Sequence, residues 1–388
     1  MPTTVVSQLE TALAAVRRRA PEMLGLTRSW VEVNSFTANV EGVNRVGAML
    51  REAFTLPPLA CTVIPGAAGF GDHLVWRTAA GGAPVVLIGH HDTVFPPGHF
   101  EGWKEDGNRA TGPGALDMKG GLAIIRTALA ALDDAGVLAK LPLTVVCVAD
   151  EEVGSPSSAP HLKELAKGAA CALVFESGRA NDMIITRRKG VGAMTVIAHG
   201  KAAHSGNNHK DGANAIWALS KFIDAAQQLT HYERGVTVNV GEVKGGTSKN
   251  TVPERAECKI DLRYETVADA EALVADLKAA AAAASIPGVT LEVIGGVNRL
   301  PLERSPQSAS LRDEYAACAR ACGLGDGEAP LLGGGSDANT VAPLGVPAID
   351  GLGPRGAGFH TTNEYVELDT FVPKCEALVR FLVGRLPQ

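Results

Sequence analysis

Apolar residues along the chain recur with two different periods, and the change of period divides it. Residues 4–19, 22–32 and 40–54 space apolar side chains three and four apart, as amphipathic helices do, with Pro21 between the first two. Short, almost unbroken apolar runs follow: "APVVLIG" (83–89), "LPLTVVCVA" (141–149) and "CALVF" (171–175). Such runs predict strands buried on both faces of a sheet that helices cover. Between the first two lies "KGGLAIIRTALAALDDAG" (119–136), a helix that Gly136 ends. Strand, helix, strand predicts a parallel crossover and an α/β core.

From about residue 188 the pattern turns to alternation. "VGAMTVIAHG", "GVTVNVGEV", "AECKIDLRYE" and "VTLEVIGG" read as strands, and "GANAIWALSKFIDAAQQL" and "ADAEALVADLKAAAAAA" as helices. After Leu300 the earlier style returns, with a helix at 308–322, a Gly-rich loop at 333–335, a strand at 346–350 and a helix at 371–386. The chain therefore reads as a discontinuous α/β domain, residues 1–187 with 300–388, built on a mixed, mostly parallel sheet flanked by helices. A smaller α+β domain is inserted over 188–299.

Composition narrows the class. Hydrophobic residues at 46% and charged residues at 20% suit a globular protein with a large core. A formal charge of −6 and no Lys/Arg-rich run exclude a nucleic-acid-binding field. No apolar stretch reaches membrane-spanning length. In "MPTTVVSQLETALAAVRRRAPEML" the positive charges follow the apolar part, the reverse of a secretory signal, so a cytoplasmic protein is expected. The seven cysteines include no CxxC pair. Cys147, Cys171 and Cys258 sit in strand-like runs and read as reduced core residues, and Cys318 and Cys322 lack neighbouring ligands.

Chemistry collects where the predicted strands end. "VVLIGHHD" delivers His90, His91 and Asp92; "TVVCVADEE" delivers Asp150, Glu151 and Glu152; "ALVFESG" delivers Glu176. "TGPGALDMKGG" places Asp117 at the mouth of a helix. In an open parallel sheet ligands gather beyond the carboxyl ends of the strands. One strand-end carboxylate is usually a helix cap or a surface charge. Several converging on one point repel unless a cation lies among them, and His with carboxylate, without thiolate, suits Zn²⁺ or a related divalent ion. Side chains on a strand alternate faces, so His90 and Asp92 point one way and His91 the other. His-x-Asp is then the working unit, and His91 reads as a bystander.

"GHHDTVFPPG", "GPGALDMKGG", "ADEEVGSP" and "GFHTTNEY", in that order across nearly the whole chain, resemble the signature segments of the zinc exopeptidase family. That family includes glutamate carboxypeptidase, aminoacylase, acetylornithine deacetylase and succinyl-diaminopimelate desuccinylase, and the match is nearest to glutamate carboxypeptidase. The resemblance implies two Zn²⁺ ions, with Co²⁺ or Mn²⁺ as substitutes. His90, Asp117 and Glu176 would hold one, and Asp117, Glu152 and His360 the other. Asp92 would orient His90, Glu151 would be the general base for a metal-held water, and a cis peptide would join Asp117 to Met118. In "GKAAHSGNNHKDGANA" His204 would hydrogen-bond the developing oxyanion, reaching the opposite subunit in dimeric relatives. Asn250 and Arg263 would hold the substrate's free carboxylate, with backbone amides at Gly334 and Gly335. Ser336 stands where the family more often has Thr.

These expectations describe a metal-dependent amidohydrolase acting beside a free amino-acid carboxylate, on a small peptide or an N-acyl-amino acid, in a homodimer formed through the inserted domain. A carboxypeptidase, an N-acyl-amino-acid deacylase and a dipeptidase share that chemistry and differ in pocket shape. An inert binding relative would have lost Glu151 or a ligand, and none is lost. An aminopeptidase of related fold would bind a free amine, for which Asn250 and Arg263 are the wrong residues.

Overall fold

Strands Val85–His90, Leu143–Val148 and Cys171–Val174 are buried along their whole length in the computed structural model, which describes residues 3–386. Val85–His90 lies between the other two and pairs in parallel with both. Ala348–Ile349 continues the parallel run beyond Cys171–Val174. On the other side His73–Arg77 and then Ala60–Ile64 pair antiparallel, completing six strands. The apolar pattern does not announce those last two. Ala60–Ile64, ACTVI in sequence, is exposed or half-buried throughout, and Thr62 divides its short apolar stretch.

The chain packs as two compact units. One comprises the segment to Thr186, Arg304–Pro330 and the segment from Ser336 onward. It contains the six-stranded sheet, and its central helix, Gly120–Asp134, is buried on nearly every side. Helices Thr3–Arg18, Ala20–Val31 and Phe371–Gly384 pack around it. The helix starts on two glycines. A Cβ on Gly121 would stand 2.2 Å from the carbonyl oxygen of Phe175, so the helix approaches the end of the Cys171–Val174 strand as only a glycine permits. The chain just before the helix carries Asp117, and the chain just beyond Phe175 carries Glu176.

The other unit comprises Arg187–Glu303 with Leu331–Gly335. Its antiparallel sheet runs in the order Thr237–Gly245, Arg255–Tyr264, Gly190–His199, Thr290–Arg299. Helices Ala215–Gln227 and Val267–Ala284 pack on it, capped by Asn214 and Thr266, whose side chains accept from the amides of Trp217 and Asp269. The Gly-rich loop belongs by packing to this unit, because the Lys189 amide donates to Leu332 at 2.8 Å and Arg188 Nη1 to the Gly334 carbonyl at 3.1 Å. Among the described residues no helix is long and apolar enough to cross a membrane.

Two helical glycines should respond oppositely to the same change. Gly121→Ala forces the helix off Phe175 and is expected to cost about 1–3 kcal/mol in urea unfolding. Gly25→Ala, in the exposed interior of Ala20–Val31 where a Cβ meets nothing within 4 Å, is expected to add roughly 0.5–1 kcal/mol. A Gly121→Ala protein as stable as the wild type would remove the close-approach argument.

Candidate metal centre

Strand ends and the turns after them bring six acid and histidine side chains together in the first unit. His90 is the last residue of its strand, Glu176 lies two past Val174, and Glu151 and Glu152 lie in the turn after Val148. Asp117 sits in a non-helical turn ahead of Gly120, where the Asp117–Met118 peptide is cis, as the family resemblance implies. His360, at a φ of 63°, lies in the loop between Gly356–Ala357 and Tyr365–Glu367.

Asp117 occupies the middle of this group. Its Oδ1 is 3.3 Å from His90 Nε2 and its Oδ2 is 3.6 Å from His360 Nε2. Glu176 Oε1 lies 3.7 Å from His90 Nε2, and Glu152 Oε2 lies 3.0 Å from His360 Nε2. One carboxylate therefore faces two histidines with its two oxygens, and each histidine has a second carboxylate beside it. Donor atoms of His90, Asp117 and Glu152 fall within 4.8 Å of one another, as do those of His90, Glu151 and Glu176.

The charges in this group conflict. Two charged carboxylates within 4.8 Å of each other repel by at least about 3.5 kcal/mol at an effective dielectric constant of ~20. Burial, and then Asp117, push Glu176 well above the usual carboxylate range. Burial likewise pushes Glu152 up to about 8, against the hydrogen bond from His360. Asp117 stays well below the usual range despite its burial, because His360 and His90 bond to it. Hydrogen bonds to Asp117 and Glu152 raise His360 to about 10, and against its burial the carboxylates raise His90 as well. The cluster calls for positive charge, and His90 and His360 supply part of it. The donor set of imidazole nitrogens and carboxylate oxygens fits a divalent cation of the zinc type.

A second layer holds the donors in place. His90 Nδ1 lies 3.1 Å from the carbonyl oxygen of Asp92 and 3.3 Å from its Oδ1. The Asp92 carboxylate also accepts from the amides of Glu151 and Glu152, each at 3.2 Å, and from the Thr37 hydroxyl at 2.8 Å. Asp92 thus fixes both His90 and the turn that carries the two glutamates. Glu364, 1% exposed, accepts from the amides of Gly114, Leu116 and Asp117. Burial, with Asp117 beside it, pushes Glu364 up to about 7. Lys119 is fully buried, donates to the Val33 carbonyl and is lowered by that burial to about 7. His91 turns away from the cluster, its Nδ1 3.2 Å from Cys147 Sγ, and burial drives it down to about 3, so it is a neutral core side chain.

The remaining sequence-predicted residues lie in the second unit. His204 is exposed, and its Nδ1 accepts from the amides of Gly206 and Asn207, both at 3.1 Å. Those bonds put the ring proton on Nε2 and leave that nitrogen as a donor. Asn250 is beside it: the Ser205 amide donates to the Asn250 carbonyl, and Thr251 pairs with His204. Arg263 forms a fork with Asp261 at 2.9 and 3.0 Å, and its Nη1 reaches the Gly333 carbonyl at 3.4 Å. The Gly334 carbonyl accepts from Arg188 Nη1 at 3.1 Å. Gly335 closes the same loop.

Sequence reasoning passed over Thr37, Lys119, Arg188 and Glu364. Glu364 stood inside a quoted motif, but a lone glutamate four residues after a histidine carries no signal of its partners, which lie about 250 positions earlier.

Comparison with known proteins follows the same lines. Residues 186–289 match the peptidase dimerisation domain. The chain is 29% identical over 371 residues to Carboxypeptidase G2 of Pseudomonas sp. (strain RS-16), covering 94% of this chain and 89% of that protein. It is 28% identical over 340 residues to the succinyl-diaminopimelate desuccinylase of Xylella fastidiosa (strain M23), covering 80% and 86%. Among solved structures, a tripeptidase from Staphylococcus aureus superposes with a TM-score of 0.79 at 20% identity, over 95% of this chain and 99% of that one, and shares its fold.

Metal should act on the folded state. At a concentration 100 times its dissociation constant, Zn²⁺ is expected to stabilise the protein by about 2.7 kcal/mol, and a chelator to reverse the gain. Scanning calorimetry of metal-stripped and reloaded protein checks this. An unchanged melting temperature would mean that the cluster does not bind the ion.

Proposed function

We infer that this chain, which belongs to the zinc exopeptidase family and hydrolyses an amide bond with the help of a divalent metal, cleaves that bond beside a free amino-acid carboxylate. The observation that carries the reading is Asp117, whose two oxygens face His90 and His360 with a further carboxylate beside each. That arrangement supports two metal positions: His90, Asp117 and Glu176 would hold one ion, and Asp117, Glu152 and His360 the other. The chemistry such ions would supply is Lewis acidity towards the scissile carbonyl and towards water.

The chain's own residues supply the rest. Glu151 takes a proton from the attacking water as its oxygen bonds to the carbonyl carbon. It then passes that proton to the leaving nitrogen as the carbon–nitrogen bond breaks. Asp92 holds the backbone of Glu151 by its amide, which keeps the base in register with His90. His204, with its proton on Nε2, donates to the oxyanion that develops on the substrate. Asn250 and Arg263 hold the free carboxylate, Arg263 exchanging Asp261 for it, and Gly334 and Gly335 border that group.

The protein acts as a homodimer, a reading supported by the dimerisation-domain match. Its ions are two Zn²⁺, with Co²⁺ or Mn²⁺ able to replace them. We place it in the cytoplasm, where buried free thiols such as Cys147, Cys171, Cys258 and Cys375 persist reduced. The substrate is a small peptide, with a C-terminal glutamate foremost, or an N-acyl-amino acid.

Two substitutions test the assignment. Glu151→Gln is expected to lower kcat by about 10²–10⁴-fold with metal content unchanged. His204→Ala is expected to cost about 10²–10³-fold in kcat, or roughly 2.7–4 kcal/mol. Both are read on a panel of dipeptides and N-acyl-amino acids, with and without a free carboxylate. Full turnover by Glu151→Gln sinks the general-base role, and equal rates on amidated substrates sink the carboxylate requirement.

A further inference from the structure

Glu364 does more than fill space behind the cluster. Its carboxylate is buried in the first unit, and three amides from one turn converge on it: Leu116 at 2.9 Å and Asp117 at 3.1 Å on Oε1, and Gly114 at 3.3 Å on Oε2. The same turn aims the two oxygens of Asp117 at His90 and His360. Gly114 has a φ of 73°, and a Cβ there would stand 2.7 Å from Thr93 Cγ2, so the turn has little freedom of its own.

At its other end Glu364 belongs to the loop that carries His360. That loop is tight. The Thr361 amide and hydroxyl both donate to the Gly358 carbonyl, at 3.1 and 2.7 Å, and the Glu364 amide donates to the Thr361 carbonyl at 3.1 Å. A Cβ on Gly358 would lie 2.5 Å from the Asn363 carbonyl oxygen. Directly after Glu364, Tyr365–Glu367 pairs with Arg109–Thr111, the strand that leads into the Gly114 turn. The Glu364 side chain therefore joins two stiff loops, one holding His360 and the other Asp117.

We propose that Glu364 is a positioning residue for metal binding: its carboxylate spans the His360 loop and the Asp117 turn, setting Asp117 between the two histidines and making the two metal positions one mechanical unit. Glu364 touches amides and not the ligand atoms, so it acts through Asp117 and His360. Groups that orient metal ligands in this way typically influence affinity by about 10–100-fold. The proposal rests on the metal-centre reading above.

The experiment compares Glu364→Asp, Glu364→Gln and Glu364→Ala in the full chain. Zn²⁺ and Co²⁺ affinities are read by chelator competition, coordination by the visible spectrum of the Co²⁺ protein, and folding by the melting of the metal-free protein. Aspartate keeps the charge but is shorter by one methylene, about 1.5 Å, and cannot span the gap. Glutamine keeps the reach and can accept from Leu116 and Asp117, but turns an NH₂ towards Gly114. The expected result is a loss of affinity of about 10–100-fold with an altered Co²⁺ spectrum for Asp and Ala, and a smaller loss for Gln. Wild-type affinity and spectrum in a folded Asp or Ala variant overturns the proposal. If neither folds, Gln decides: reduced metal affinity supports the proposal, and wild-type affinity overturns it. A wild-type protein that binds neither ion refutes the metal centre itself, a failure distinct from that of the Glu364 role.

Discussion

Mutual repulsion among buried carboxylates is the constraint around which this fold is arranged. Asp117, Glu152 and Glu176, with little side-chain exposure, stand 3.0–3.7 Å from the imidazoles of His90 and His360. Left to itself, such a group would splay apart or take up protons, and the upward shifts at Glu152 and Glu176 express the second tendency. Everything near the cluster resists the first. Parallel strands deliver the donors to one edge, paired glycines let a helix start against a strand end, and second-layer carboxylates pin the turns by their amides.

That second layer follows a common rule. Asp92 and Glu364 each use carboxylate oxygens to gather backbone amides from a turn that carries members of the acid and histidine cluster. A buried carboxylate with several amide partners tolerates desolvation far better than an unpaired one. Burial lowers Lys119, and the Glu364 and Asp92 carboxylates both work against that by raising its affinity for a proton. The polar shell adds rigidity without adding donor atoms at the centre.

Much of the centre was legible because it obeys local rules. An apolar strand that ends in His-x-Asp or Asp-Glu-Glu announces itself, and alternation alone separated His90 from His91. Sequence periodicity also marked the change from buried parallel strands to half-buried antiparallel ones near residue 188. The edge strand Ala60–Ile64 escaped because Thr62 divides its short apolar stretch, leaving no long run like those of the buried strands. Glu364 and Thr37 escaped because their roles lie in partners far along the chain, and one residue's type says nothing about which distant amide it will meet.

The interruption of the first unit has a temporal side. Five of the six clustered side chains arrive by Glu176, but His360 follows 360 − 176 = 184 residues later, after the whole intervening unit has been made. At roughly 5–20 residues per second, a ribosome needs about 10–40 s to cover that distance. For that interval the nascent chain carries four acidic side chains of the cluster and a single imidazole. A growing chain of this design therefore completes the cluster only when its last tenth has emerged.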